Sequence, residues 1–212
     1  MTPADTLAQI AHQISICQQC VLHSTRKLPV PGEGPSNAQI MLIGEGPGFY
    51  ENEQGRPFVG AAGNFLSELL ARAGLTREEV FITNVVKCRP PDNRDPLPEE
   101  LAACRDYLES QIAAINPKVI VTLGRFSMAI FFPRARIGAV HGQASKVNGR
   151  IIVPMYHPAA ALHQPALKST VERDFLHLAE SIKQNVPARP VTQAPAAQSE
   201  DPADSATQLS LF

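Results

Sequence analysis

The sequence predicts an α/β fold, a three-layer αβα sandwich around a central four-stranded parallel sheet, and three observations lead there. Four apolar runs rich in Val, Ile and Leu alternate with helical patterns in the order β-α-β-α-β-α-β. The runs are continuously apolar, as strands covered on both faces must be. Short motifs of glycine, proline and polar residues follow each run, at the strand ends where open parallel sheets bind ligands.

A helical pattern near 5–16 precedes the sheet. The strands are expected at 40–43, 80–86, 119–123 and 151–155, and helices at 63–73, 98–115, 125–132 and 169–184. "GEGPG" follows the first strand, "NVVKCRPP" ends the second, "LGR" the third and "YHPAA" the fourth. These four ends can converge on one crevice. One domain, 1–185, accounts for the pattern. The start "MTPADTLAQIAHQ" has no basic leader with a long apolar run, and no stretch reaches membrane-spanning length. A cytoplasmic protein without a membrane partner or disulfides is therefore expected.

The net charge of −1 does not by itself suggest a nucleic-acid binder. From 186 onward, however, Arg189 faces Glu200, Asp201 and Asp204, so the tail carries −2 and the rest +1. "KCRPPDNR" then gathers Lys87, Arg89 and Arg94 in one short stretch, a candidate DNA contact.

The glycine-rich stretch "GEGPGFYENEQGRPFVGAAG" must bring backbone close to something. A phosphate is a poor fit. The stretch has no lysine, Pro47 and Pro57 keep the chain irregular where a dinucleotide fingerprint needs a helix, and Glu45 and Glu51 would repel an anion. Phe58 offers a face for something flat, so a planar, uncharged ligand is expected.

All four cysteines are candidate ligands: Cys17 and Cys20 form a C-x2-C pair, and fifteen residues separate Cys88 from Cys104. Structural zinc favours two tight pairs, whereas a [4Fe–4S] cluster accepts irregular spacing. Plain buried cysteines are the third reading.

From about Cys17 to Gln184 these motifs resemble the family 4 uracil-DNA glycosylases, the iron–sulfur branch of the uracil-DNA glycosylase superfamily. "GEGPG", Glu51, "GRPFVGAAG", "TNVVKCRPPDNRDP", the four cysteines and "HPAA" carry the resemblance. It implies the glycosylase-like fold and a monofunctional repair enzyme, acting as a monomer, that flips uracil out of single- or double-stranded DNA and hydrolyses its N-glycosidic bond. It implies a [4Fe–4S] cluster on Cys17, Cys20, Cys88 and Cys104. The flat ligand is then uracil: Phe58 stacks on it, Asn84 reads N3–H and O4, and Glu51 lies at the C5 edge where a thymine methyl would collide. Backbone N–H groups around Glu45 and Gly46, with His157, face O2, where charge develops. His157 sits before Pro158 at an extended loop start. Leu162 fills the gap left by the flipped base, although this chain departs from the family pattern with three alanines after Pro158 and His163 after Leu162. Lys87, Arg89, Asn93 and Arg94 contact DNA, with Asn93 a water or phosphate ligand. No Asp or Asn in "GEGPG" occupies the place of a water-activating side chain, which favours a dissociative mechanism.

Two other readings are compatible with the same residues: a non-turnover or covalent binder of uracil or abasic DNA, which would need a basic insertion after "KCRPPDNR", and an iron–sulfur redox sensor. The tail at 186–207 is rich in Pro, Ala, Ser and Gln, the composition of a disordered linker. It ends in Gln208, Leu209, Ser210, Leu211 and Phe212, "QLSLF", which resembles the peptide by which bacterial repair proteins bind the sliding clamp and so points to a bacterial source.

Overall fold

The structure, a computed structural model, describes residues 1–185. The expected linker, 186–207, and the peptide Gln208 to Phe212 lie outside the described residues. Five strands form one sheet: β1 (Ile40–Gly44), β2 (Val80–Asn84), β3 (Val119–Leu123), β4 (Ser145–Val147) and β5 (Arg150–Met155), in the order β2-β1-β3-β5-β4. The first four in that order are parallel, with Ile40 opposite Val80 and Val119, and Val119 opposite Ile151.

The expected four-stranded sheet is thus corrected to five. β4 runs antiparallel to β5, and Asn148 and Gly149 turn the chain between them with φ of 48° and 82°. Asn-Gly suits a two-residue hairpin because both turn positions need positive φ. "KVNGRI" therefore held the signal, but the strand before the turn is short and largely exposed and has no apolar run to announce it. β2 also ends at Asn84 and not at 86, where the chain bends away from the sheet.

The helices are α1 (Pro3–Ser15), α2 (Phe49–Gln54), α3 (Ala61–Arg72), α4 (Pro98–Ile115), α5 (Arg125–Phe131), α6 (Ile137–Val140), α7 (Pro158–His163) and α8 (Lys168–Asn185). The sheet is covered on both sides. Along β1, Ile40 and Leu42 pack with Leu66 and Leu69 of α3 and Phe175 of α8, whereas Met41 and Ile43 pack with Leu108 and Ile115 of α4. That alternation is the period-two pattern of a strand with two buried faces. α1 packs against α4 and is started by a reciprocal cap, in which Asp5 N–H donates to Thr2 Oγ1 and Thr2 N–H to Asp5 Oδ2.

Two short helices stand where irregular chain is expected. α2 fits between Pro47 and Pro57 because Gly48 starts it, its N–H donating to the Glu51 carboxylate 3.1 Å away, and Gly55 ends it at φ 70°. α7 begins at Pro158, whose fixed φ and missing N–H suit a first helical position. His157 before it is extended, at φ −64° and ψ 136°, as expected.

Candidate active site and cysteine cavity

A cavity of about 400 Å³ opens where β1, β2 and β5 end, and Glu45, Gly46, Glu51, Phe58, Asn84 and His157 all line it. The topology brings together residues more than a hundred positions apart.

Asn84, the last residue of β2, is 1% exposed and its Oδ1 has no hydrogen-bond partner. Thr122 Oγ1 and Arg150 Nε are the other buried side-chain atoms without one among the described residues, and neither residue lines the cavity. An unpaired buried acceptor costs about 1–3 kcal/mol, so it is expected to meet a donor when the site is filled. Gly44 makes this placement possible. A Cβ there would stand 2.3 Å from Asn84 Oδ1 and 2.7 Å from the Phe58 ring.

Phe58 is buried and has φ 53°, a left-handed backbone that a phenylalanine adopts only when held. Two groups hold it. Arg77, in a 3₁₀ turn before β2, donates to Phe58 O at 3.0 Å and to Pro57 O at 2.8 Å. Glu51 Oε1 accepts from the N–H groups of Val59 and Gly60 at 2.9 and 3.1 Å, while its other oxygen caps Gly48. Glu51 is thus a fixed wall of the cavity, tied to three backbone amides. The sequence signals the cap through its spacing from Gly48. Nothing in the sequence signals Arg77.

His157 caps α7: its Nδ1 accepts the Ala159 N–H at 3.1 Å, which leaves the proton of a neutral ring on Nε2. Burial pulls its pKa down to about 4, with Glu51 pulling weakly the other way, so the ring is neutral at physiological pH. It lies over Phe58, ring centroids 5.4 Å apart and planes 24° apart. At the cavity edge, burial and the neighbouring Asp95 push the Glu45 carboxyl above its usual range, with Arg125 opposing them.

The basic stretch divides. Lys87 is 1% exposed and its ammonium donates to Thr83 Oγ1 at 2.7 Å and to Asn84 O and Gln111 Oε1 at 2.8 Å each. Its assignment as a DNA contact is therefore corrected: three acceptors saturate the ammonium inside the protein. Arg94 lines the cavity, yet its guanidinium makes a two-pronged pair with the buried carboxylate of Glu100 at 2.6 and 2.9 Å. Arg89 is partly exposed, donates to Asn93 Oδ1 at 2.8 Å and sits over the Phe49 ring. Leu162, 45% exposed, stands on α7, and His163 beside it lines the cavity.

The four cysteines line a second, smaller cavity between the end of α1, the turn after it, the chain leaving β2, and α4. Cys88 and Cys104 are buried, Cys17 and Cys20 partly exposed, and all four are free thiols. Donors surround the sulfurs. Arg26 reaches Cys88 Sγ at 3.3 Å, and backbone N–H groups of Leu22 and Lys87 face Cys20 and Cys104. Among the described residues no three His, Cys, Asp or Glu side chains converge closely enough to hold a metal ion.

The family model of the uracil DNA glycosylase superfamily matches residues 31–179, and the chain belongs to that superfamily. Within it, the chain is similar to the Type-4 uracil-DNA glycosylase of Saccharolobus solfataricus, with 45% identity over 198 residues that cover 89% of this chain and 90% of that protein. The Type-4 enzymes of Sulfurisphaera tokodaii and Archaeoglobus fulgidus are each 46% identical, over 83% of this chain and 84% and 93% of their own lengths.

Proposed function

We propose that this chain is a monofunctional DNA-repair uracil-DNA glycosylase, and the observation that carries the proposal is the unpartnered, buried Asn84 Oδ1 in a cavity walled by Phe58, Glu51 and neutral His157. Uracil presents N3–H to an acceptor and O4 to a donor, the pair that one side-chain amide supplies. Cytosine presents the reverse at both positions. A site built around such bonds rejects the wrong base by ~10⁴-fold or more, because its buried groups stay unpaired. Glu51, fixed by three amides, excludes a methyl group at C5.

The base must leave the helix to reach this cavity. Phe58 stacks on it, and Leu162 enters the gap left behind. As the C1′–N1 bond breaks, its electron pair stays with uracil and the charge spreads to O2. His157 donates from Nε2 to that oxygen, together with backbone N–H groups at Glu45 and Gly46. A neutral donor suits this step, since it stabilises the uracil anion without having to protonate it. The sugar cation then takes a water at C1′ and releases a proton to solvent, and Asn93, at the cavity wall, is the candidate ligand for that water or the adjacent phosphate.

The cysteine cavity fits a [4Fe–4S] cluster through its donor set: four thiols lining one cavity, with N–H donors beside the sulfurs. Cys17, Cys20, Cys88 and Cys104 would hold it, and it would act as a tie between the end of α1, α4 and the chain leaving β2. Iron and labile-sulfide analysis checks this, and zinc in their place would overturn it. The chain between Asn93 and α4 is only residues 94–97, without regular structure, which leaves no inserted loop for covalent trapping. The C-terminal Gln208, Leu209, Ser210, Leu211 and Phe212 dock on a bacterial sliding clamp, with 186–207 as a tether that raises the local enzyme concentration on nucleoid DNA.

Incubation with single- and double-stranded uracil oligonucleotides, followed by alkaline cleavage at abasic sites, tests the activity. Uracil-specific nicking is expected. Absence of nicking, or a denaturant-stable protein–DNA adduct in its place, would overturn the proposal.

A further inference from the structure

Phe49 and Tyr50 open α2 directly beside the cavity, yet they are 51% and 58% exposed. Their rings meet edge to face with centroids 5.4 Å apart. The Arg89 guanidinium lies over Phe49 at 5.3 Å from its centroid. Each member is anchored to the cavity lining: Gly48 before Phe49, Glu51 after Tyr50, Pro90 after Arg89, and Asn93, which accepts from Arg89 Nε. Two adjacent solvent-facing aromatics on a short helix contribute nothing to the core and cost solvation when left uncovered. Nucleobases stack on such rings without regard to sequence, and an arginine beside them answers the phosphate that joins one base to the next.

We propose that Phe49 and Tyr50, with Arg89, form a stacking platform for an unpaired nucleobase adjacent to the extruded uracil on the same DNA strand. The proposal rests on the glycosylase reading and adds a preference for single-stranded substrate. In a duplex the neighbouring base is already stacked and paired, so the platform has less to offer there. In a single strand that base is free to turn onto Phe49. The platform and Leu162 would then grip the strand from different elements, α2 and α7.

The test uses the full chain and single-stranded oligonucleotides carrying 2′-fluoro-deoxyuridine, whose sugar cation is disfavoured so that the base stays attached, with 2-aminopurine on the 5′ side in one and the 3′ side in another. Wild-type protein should quench the probe on one side. Phe49→Ala/Tyr50→Ala should abolish that quenching and weaken single-strand binding by ~10-fold or more, the lower part of the range expected for losing base–aromatic stacks, with a smaller loss on duplex. Phe49→Leu/Tyr50→Leu, which keeps apolar area but removes the rings, should behave like the alanine pair. Phe49→Trp should retain quenching, and Leu176→Ala, which alters an exposed leucine on α8, should match wild type. Equal quenching and affinity in wild type and both double variants would overturn the platform, as would an equal loss on single strand and duplex. A wild-type protein that excises uracil from ordinary oligonucleotides while failing this test would leave the glycosylase reading intact; one that excises nothing would remove that reading instead.

Discussion

The base cavity and the cysteine cavity are both built on the chain leaving β2, four residues apart at Asn84 and Cys88, yet they are organised in opposite ways. The base cavity is held open. Glycine at 44 keeps space for Asn84 and Phe58, the Phe58 backbone is strained and braced by Arg77, and one acceptor is left without a partner. Around the cysteines, the neighbouring polar groups are occupied: Arg26 bridges Cys88 Sγ and Ser15 O, and the Lys87 ammonium is held by Thr83, Asn84 O and Gln111. On the proposed reading, the Asn84 end of this loop receives the substrate and the Cys88 end braces it. Lys87 joins the two, its ammonium on Asn84 O and its backbone N–H at Cys104.

The largest effect should come from closing the open cavity. Gly44→Ala places a methyl group against both Asn84 and Phe58, and single-turnover excision should fall by ~10³-fold or more while the content of the proposed iron–sulfur cluster stays that of wild type. A rate within tenfold of wild type would mean that the cavity is not held as tightly as the distances indicate.

His157→Ala should lower the single-turnover rate by ~10²-fold or more, the usual effect of removing one oxyanion donor. The pH profile sharpens this assignment. With a pKa of about 4 the ring stays neutral from pH 5 to 8, so the wild-type rate should show no inflection near 6.5 that depends on His157. An imidazolium acid would instead lose activity as the pH rises through that value. Stability follows the same shift. Between about pH 4 and the ordinary imidazole value near 6.5 the unfolded chain binds more protons at this residue than the folded one, so its contribution to stability falls as the pH drops through that window.

Lys87→Met tests whether the two cavities are coupled. It leaves Thr83, Gln111 and Asn84 O without their shared donor, and should cost about 1–3 kcal/mol in denaturant unfolding. Excision should fall by ~10-fold and iron content should fall with it, whereas Asn84 substitutions should reduce excision alone. Smallest in its effect on chemistry is removal of Gln208 to Phe212, read by calorimetry as lost affinity for purified bacterial clamp. Undiminished affinity would show that the peptide does not dock there.

The sheet was legible in the sequence because Val119 to Leu123 and its parallel partners are continuous apolar runs, and because glycine and proline mark their ends. β4 escaped because its three residues are too few and too exposed to form a run, although Asn148 and Gly149 mark the turn. The cavity residues were legible through family motifs, but motifs do not give direction. "KCRPPDNR" shows three cations in a row; only the fold shows that Lys87 points inward, that Arg94 turns to Glu100 six residues on, and that Arg89 alone remains over an exposed aromatic. Arg77 was invisible for a related reason: it reaches back nineteen and twenty residues to brace Phe58 and Pro57, a contact that neither periodicity nor spacing encodes.

On the proposed reading, the unpartnered Asn84 Oδ1 accepts the N3–H of uracil. Excision of uracil and of N3-methyluracil from otherwise identical single strands, by wild type and by Asn84→Ala, tests it most directly. The methyl group removes the donor that Asn84 would accept and leaves O2 and O4 in place. Wild type should prefer uracil by ~10³-fold or more, and Asn84→Ala should bring the two rates within about tenfold of each other, chiefly by losing activity on uracil. Equal excision of both bases by wild type, or a preference that survives in Asn84→Ala, would contradict the claim.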